Sequence, residues 1–309
     1  MLRIEIVNID RDQLGEGPLW DNAEQALYWI DSYGPAVLRL EVGGRRSTWP
    51  LPQHVGSIAL RQGGCAVCSL QSGFHALDFT TGAVKLLAEA APPNPRTRIN
   101  DGKVDRQGRF VAGAMDYKER DPLCALYRLD PDARVTQLDD GIVCSNGPCW
   151  SLDGATLYFA DTSRRLIYAY DHDTTTGGVS DRRIFVDFAA LSFPGHPDSA
   201  TVDAEDCLWS CEVYRGRLLR FRPDGTLDRV VDLPIESATS VMFGGPNLDI
   251  AYATTAREVR GVPPKRTRPA CCSRSMVSGS AAFRNRASPV KSFGKQKGNR
   301  LCALKSCWM

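Results

Sequence analysis

The stretch Ser151-Leu152-Asp153-Gly154-Ala155-Thr156-Leu157-Tyr158-Phe159-Ala160-Asp161, with Leu166-Ile167-Tyr168-Ala169-Tyr170-Asp171 close behind it, decides the fold. An Asp-Gly turn opens it, an apolar aromatic run follows, a polar turn reverses the chain, and a second run ends on Asp. Aromatic and β-branched runs bounded by Gly, Pro, Asp and Asn read as short strands. The same unit can be read from Val104 to Asp130, opened by Asp105-Arg106-Gln107-Gly108. It can be read again from Val202 to Gly225, where Asp203-Ala204-Glu205-Asp206 replaces the Gly-ended turn. Taking Phe110, Tyr158, Trp209 and Tyr252 as equivalent gives spacings of 48, 51 and 43 residues. Tyr28 lies 82 residues before Phe110, which leaves room for one further unit near residues 58–79. No long stretch keeps a helical period, so the class is all-β. A repeat of this length with several strands per copy indicates a β-propeller; a pair of β-sandwiches, which also spaces its strands evenly, is the alternative.

The composition divides the chain at one point. Of 309 residues, 43% are hydrophobic, ordinary for a globular protein, and the net charge is +2. That charge hides an asymmetry: residues 257–309 hold 13 Lys and Arg against a single acid, Glu258, leaving a net −10 for residues 1–256. An acidic body argues against nucleic-acid binding by the folded part and suits a protein that holds a cation. The expected division is a folded domain over 1–256 and a basic, atypical tail over 257–309. Strand patterning stops at the boundary, so the tail reads either as a natural, disordered appendage or as the product of a shifted reading frame. Whether the last repeat is complete depends on it.

The N-terminus carries no apolar signal-peptide core, and no stretch is long enough to span a membrane. The expected location is cytoplasmic, with no membrane partner. The 11 cysteines are then expected to be reduced. Cys65-Ala66-Val67-Cys68 has the spacing of a metal or redox pair, but it reads as strand and has no second pair to complete a zinc site. Buried small apolar residues are the expectation there.

Chemistry gathers in four separated segments. In Arg98-Ile99-Asn100-Asp101-Gly102-Lys103 an arginine and an amide stand two residues apart before a β-type run. On an extended chain both point to one side, where they could grip a hydroxyl-rich ligand; an ordinary polar turn is the bland reading. Glu16 sits in Leu14-Gly15-Glu16-Gly17-Pro18-Leu19-Trp20, Asn146 in Ser145-Asn146-Gly147-Pro148-Cys149-Trp150-Ser151, and Asp198 in Pro197-Asp198-Ser199. Each alone reads as a turn residue. No Gly-x-Ser-x-Gly elbow and no phosphate-binding glycine loop is present.

Taken together and in order, these segments resemble the senescence marker protein / gluconolactonase / luciferin-regenerating enzyme family, over residues from about Glu5 to about Ala256. The resemblance implies six blades. It implies that Glu16, Asn146 and Asp198 ligate one divalent cation, with Asp198 also the general acid/base, and that Arg98 and Asn100 bind substrate, with Asp101 orienting the loop or lining the pocket. An oxygen-only donor set suits a hard ion, Ca²⁺ first, with Mg²⁺, Mn²⁺ or Zn²⁺ as alternatives. The family's third substrate contact is an acid shortly after Gly-x-Met. Ungapped counting through Gly113-Ala114-Met115 places Lys118 there, with Glu119 beside it. The implied function is metal-dependent hydrolysis of a sugar lactone, an aldonolactone such as glucono-, arabinono- or xylonolactone. The alternatives are hydrolysis of organophosphate or aryl esters, a calcium-binding regulatory propeller without turnover, and an inactive product of a damaged gene.

Overall fold

The computed structural model describes residues 4–7, 12–90, 94–235 and 237–256 and the backbone of 281–284. They form six four-stranded antiparallel sheets. Blade 1 comprises Gly15–Asp21, Ala26–Asp31, Ala36–Glu41 and Arg46–Pro50, and blade 2 Val55–Arg61, Cys65–Leu70, Gly73–Asp78 and Val84–Ala88. Blade 3 comprises Thr97–Val104, Phe110–Asp116, Cys124–Leu129 and Val135–Ile142, and blade 4 Ser145–Trp150, Thr156–Asp161, Leu166–His172 and Val179–Asp187. Blade 5 comprises His196–Val202, Leu208–Val213, Arg217–Phe221 and Leu227–Asp232. Blade 6 takes Ala238–Gly244 and Ile250–Thr255, then Ala281–Arg284, and finally the N-terminal strand Ile4–Ile6 at its outer edge. The fold is the six-bladed propeller, and the repeat marks Tyr28, Phe110, Tyr158, Trp209 and Tyr252 all fall on second strands. The unit expected near residues 58–79 is blade 2. Apart from Ala281–Arg284, the tail lies outside the described residues.

Apolar faces pair between neighbouring blades rather than around one centre. Tyr28, Ile30, Val55 and Leu77 join blades 1 and 2; Phe74, Phe110, Trp150 and Phe159 join blades 2, 3 and 4. Tyr158, Phe188, Leu208 and Phe221 join blades 4 and 5, and Trp209, Val241 and Ala253 join 5 and 6. Leu27, Trp29 and Tyr252 close blade 6 on blade 1, where Trp20 stacks on Tyr252 with ring centres 5.6 Å apart. Each fully buried aromatic contributes about 1.5–3 kcal/mol. Second strands buried along nearly their whole length therefore supply a seam at every blade boundary and leave the first strands facing the axis. Cys65 and Cys68 are buried in blade 2, and burial pushes the Cys68 thiol up to about 12, which makes it unreactive near neutral pH.

Two repeated devices aim side chains at the axis. The first is a bulge in every first strand, at Glu16/Leu19, Val55/Ser57, Ile99/Gly102, Asn146/Cys149, Pro197/Ala200 and Ala238/Val241. In five of the six, two residues stand opposite one, which kinks the strand and re-aims what it carries. The second is an acid at the end of the second strand that accepts backbone N–H groups from the segment leading into the first. Asp31 takes those of Gln13 (2.8 Å) and Leu14 (3.0 Å), Asp161 those of Val143 and Cys144 (both 3.1 Å), and Glu212 that of Gly195 (2.8 Å). Each clip lies two or three residues before Glu16, Asn146 and Asp198 respectively. Strand-end acids thus fix the entry of the very strands that carry the candidate ligands.

Candidate active site

The six residues singled out from sequence all lie at the first-strand bulges of blades 1, 3, 4 and 5, toward the same mouth of the channel. Blade 3 and blade 4 are locked together there. Arg98 donates to Asn100 Oδ1 at 2.6 Å, and Asn100 Nδ2 donates to Asn146 Oδ1 at 2.9 Å and to the Ser145 carbonyl at 2.8 Å. Asn146 Nδ2 in turn donates to Thr162 Oγ1 at 2.8 Å, which fixes the amide with its oxygen turned away from Thr162. The Asn100 carbonyl is held by Ser57 (3.0 Å) and Ser69 (3.2 Å) of blade 2. Asn100 therefore sets the position of both the arginine and the candidate metal amide, a coupling that no spacing in the sequence reveals.

Asp101 is buried and its carboxylate is committed to backbone: Gly102 N and Gly147 N donate to it, both at 2.8 Å. Its visible work is to tie the bulge of blade 3 to that of blade 4. Gly147 meets this demand with φ +60°, and an added Cβ would stand 2.6 Å from the Ala200 nitrogen. Only glycine tolerates both that backbone and that approach. Blade 3 also reaches blade 5, where Lys103 Nζ donates to the Ala200 carbonyl.

Glu16 and Asp198, from blades 1 and 5, act on one another electrostatically. Both carboxyls are held well above the usual carboxylate range: Glu16 by burial, then by the charges of Asp198 and Asp101, and Asp198 by burial, then by Asp101 and Glu119. Glu16 accepts from the Gly17 N–H, but its Oε2 is sealed from solvent without a hydrogen-bond partner. Asp198 accepts from Ser199 N at 3.0 Å. Ser199, the residue after it, stays outside the left-handed region. Among the described residues, the charge of Arg98 offsets that of Glu16's acid neighbours. Buried like charges with an orphaned oxygen are costly unless a cation joins them. Glu16, Asp198 and the Asn146 carbonyl, all oxygen donors, fit a hard divalent ion. Among the described residues no group of three or more His, Cys, Asp and Glu is placed to hold a metal, so such an ion needs the amide as its third protein ligand.

Further residues surround this cluster. Glu119, not Lys118, is the acid whose charge reaches Asp198, Cys144 and Tyr214; it sits at φ +55° on the turn after the second strand of blade 3. His196 is the first residue of a strand, with Nδ1 3.1 Å from the Thr162 carbonyl. Tyr33 packs edge-on against His54 with ring centres 5.4 Å apart, and His54 against Tyr117 at 6.3 Å. A cavity of about 640 Å³ opens between blades 2 and 3, lined by Gln53, Gln71, Asn94, Thr97 and Arg98 among others. It touches the site only through Arg98, and neither Glu16, Asn146 nor Asp198 lines it.

A six-bladed propeller with an acid-and-amide cluster at one mouth defines the structural class. The SMP-30/Gluconolactonase/LRE-like region matches residues 14–257, and the chain belongs to that family. It is 35% identical to regucalcin of Xenopus laevis over 262 residues, covering 82% of this chain and 87% of that one. It is 37% identical to the 6-deoxy-6-sulfogluconolactonase of Pseudomonas putida over 249 residues, covering 80% and 84%. A crystal structure of a calcium-binding protein, regucalcin, from Agrobacterium tumefaciens superposes with a TM-score of 0.82 at 25% identity, covering 92% of this chain and 96% of the other.

Proposed function

We propose that the protein hydrolyses a sugar lactone, an aldonolactone, to the aldonic acid at the axial site, with one divalent cation held by Glu16, Asn146 and Asp198. The observation that carries this reading is the pair of buried, mutually repelling carboxyls with the unpartnered Glu16 Oε2, set beside an arginine whose Nε is also unpartnered. The first asks for a cation and the second for an oxygen-rich ligand. The P. putida relative, named as a sulfonated sugar lactonase, supports the substrate class, and the calcium-binding relative supports the ion. Ca²⁺ is the first choice for three oxygen donors.

The cation, when bound, supplies a Lewis acid for the lactone carbonyl. Asp198 moves the proton. It takes one from the attacking water as the new carbon–oxygen bond forms and returns it to the ring oxygen as the ring bond breaks, so no net proton is consumed at the enzyme. Arg98 holds the ring hydroxyls with its uncommitted N–H groups, and Asn100 fixes that guanidinium relative to Asn146. Burial of the cluster strengthens each of these contacts.

The test is acid release from gluconolactone, arabinonolactone and xylonolactone, followed with and without chelator. Release above the spontaneous rate that chelator abolishes and Ca²⁺ restores is expected. Tight Ca²⁺ binding with no turnover on any lactone would favour the second reading, a calcium-binding propeller, which the buried acid pair alone would also serve.

A further inference from the structure

The cavity of about 640 Å³ between blades 2 and 3 has a wall built to donate hydrogen bonds. Two amides that line it have already spent their oxygens on the protein. Gln53 Oε1 accepts from Ser72 N at 3.1 Å and from Ser72 Oγ at 2.9 Å, and Asn94 Oδ1 accepts from Arg96 N at 2.9 Å. A backbone N–H can only donate, so it fixes which end of each amide is the oxygen. Both NH₂ groups are left without a protein partner among the described residues. Arg98, also in the wall and buried, donates through Nη1 to Asn100 Oδ1 at 2.6 Å and to the Ile99 carbonyl at 3.2 Å. Its Nη2 makes no hydrogen bond to the described residues. Gln71, Ser72 and Thr97, which line the cavity too, can donate or accept and bring no charge.

Negative charge is missing from this wall, although residues 1–256 carry a net −10. Among the described residues no carboxylate lines it. Asp116 and Asp121, which flank the lining residues in sequence, are paired with Arg96. Burial pushes the Cys124 thiol up to about 12, so that lining residue adds no charge either. The rest of the wall is apolar, with Ile99, Ala114, Leu123 and the ring of Tyr127. A lone inorganic anion would leave most of such a volume unfilled, whereas cavities of this size take small organic molecules. One guanidinium, two free NH₂ groups and an apolar remainder together describe the complement of an acid group on an apolar body.

We infer that the cavity is a second small-molecule site, for an organic acid: a carboxylate, sulfonate or phosphate group held by the wall that Gln53, Asn94 and Arg98 form, with the apolar body against Leu123 and Tyr127. Arg98 is the partition between this site and the axial cluster, since it lines the cavity and bonds to the Asn100 that holds Asn146. The site does not depend on the lactone reading.

The probe is 8-anilino-1-naphthalenesulfonate, whose fluorescence rises in an apolar site, titrated into the full chain in chelator so that no axial cation can draw the sulfonate. Saturable binding of one dye per chain is expected. Gln53→Glu and Asn94→Asp each keep an oxygen for the Ser72 or Arg96 N–H and replace the free NH₂ by a charged oxygen. Each should weaken the dye at least about tenfold, with the melting temperature of the parent. On the parent, 1-naphthoate and 1-naphthyl phosphate should displace the dye, the tighter of the two identifying the preferred acid group. 1-Naphthol, the same body without the charge, should require at least about tenfold more. Absence of saturable binding, dye affinity unchanged in both variants, or displacement by 1-naphthol as strong as by the acids would overturn the assignment. The 1-naphthol comparison uses the parent alone and so decides the matter even if a variant fails to fold.

Discussion

Two carboxyl groups brought together out of reach of water prefer to share their site with a proton or a metal ion. For Glu16 and Asp198 the folded protein holds the proton well past the ordinary values of 4.5 and 3.8. The unfolded chain releases it near those values. Between them and the folded values the native state binds more protons than the unfolded one, so stability falls as pH rises. In chelator, the melting temperature should therefore drop as pH rises above the ordinary carboxylate range, and Glu16→Gln should flatten that slope. Ca²⁺ at about 100 times its Kd should restore about 2.7 kcal/mol in the parent near neutral pH and less at pH 5. A slope indifferent to Glu16→Gln would show that the acid pair does not carry the effect. Asp198→Asn should lower lactone turnover about 10²–10⁴-fold, checked by initial rates at saturating metal. At this scale the sequence was only partly legible. Asn146 and Asp198 stand in short motifs that can be read, whereas the Asn100 bridge arises from contacts between blades.

The strand bulge is the element that converts a regular sheet into a site. In blades 1, 3, 4 and 5 it re-aims the functional residue or its neighbour, and in blade 4 it requires Gly147. Gly147→Ala places a Cβ on a left-handed backbone and 2.6 Å from the Ala200 nitrogen. We expect a loss of about 1–3 kcal/mol in denaturant melts. Metal affinity by calorimetry should fall with it, since the same glycine spaces Asn146 from Asp198. Unchanged affinity with lowered stability would separate the glycine's two roles. The strands themselves were readable because their apolar runs and Asp-Gly turns obey local rules, and the five aromatic marks all fell on second strands. The bulges were not, because Gly-Pro, Asn-Asp and Asp-Ser look like loop breaks until a neighbouring strand shows where pairing resumes.

Over the whole molecule, the ring is closed in blade 6 by strands from both ends of the chain: Ile4–Ile6 pairs with Ala281–Arg284, which pairs with Ile250–Thr255. A protein ending at residue 256 loses the strand between them. That leaves the Ile250–Thr255 edge open and the N-terminal strand without a partner, a template for association. We expect the truncated chain to melt lower than the full chain and to show concentration-dependent association by light scattering. Equal melting temperatures would mean that residues 257–309 contribute nothing to closure. The change in charge and patterning at the boundary was plain in the sequence, but the use of four residues from that tail as a strand was not, since Ala281-Ala282-Phe283-Arg284 is too short to register as one.

This arrangement also sets an order of assembly. Glu16 is made near the beginning of synthesis and Asp198 only after blades 2, 3 and 4, while the segment that seals the circle comes later still. On the proposed ligand set, a growing polypeptide thus carries one of its two acids for most of its birth without the other. Capacity for a cation would then arrive late, when the newest stretch reaches back to the oldest, so holding the ion would double as a signature of a finished molecule.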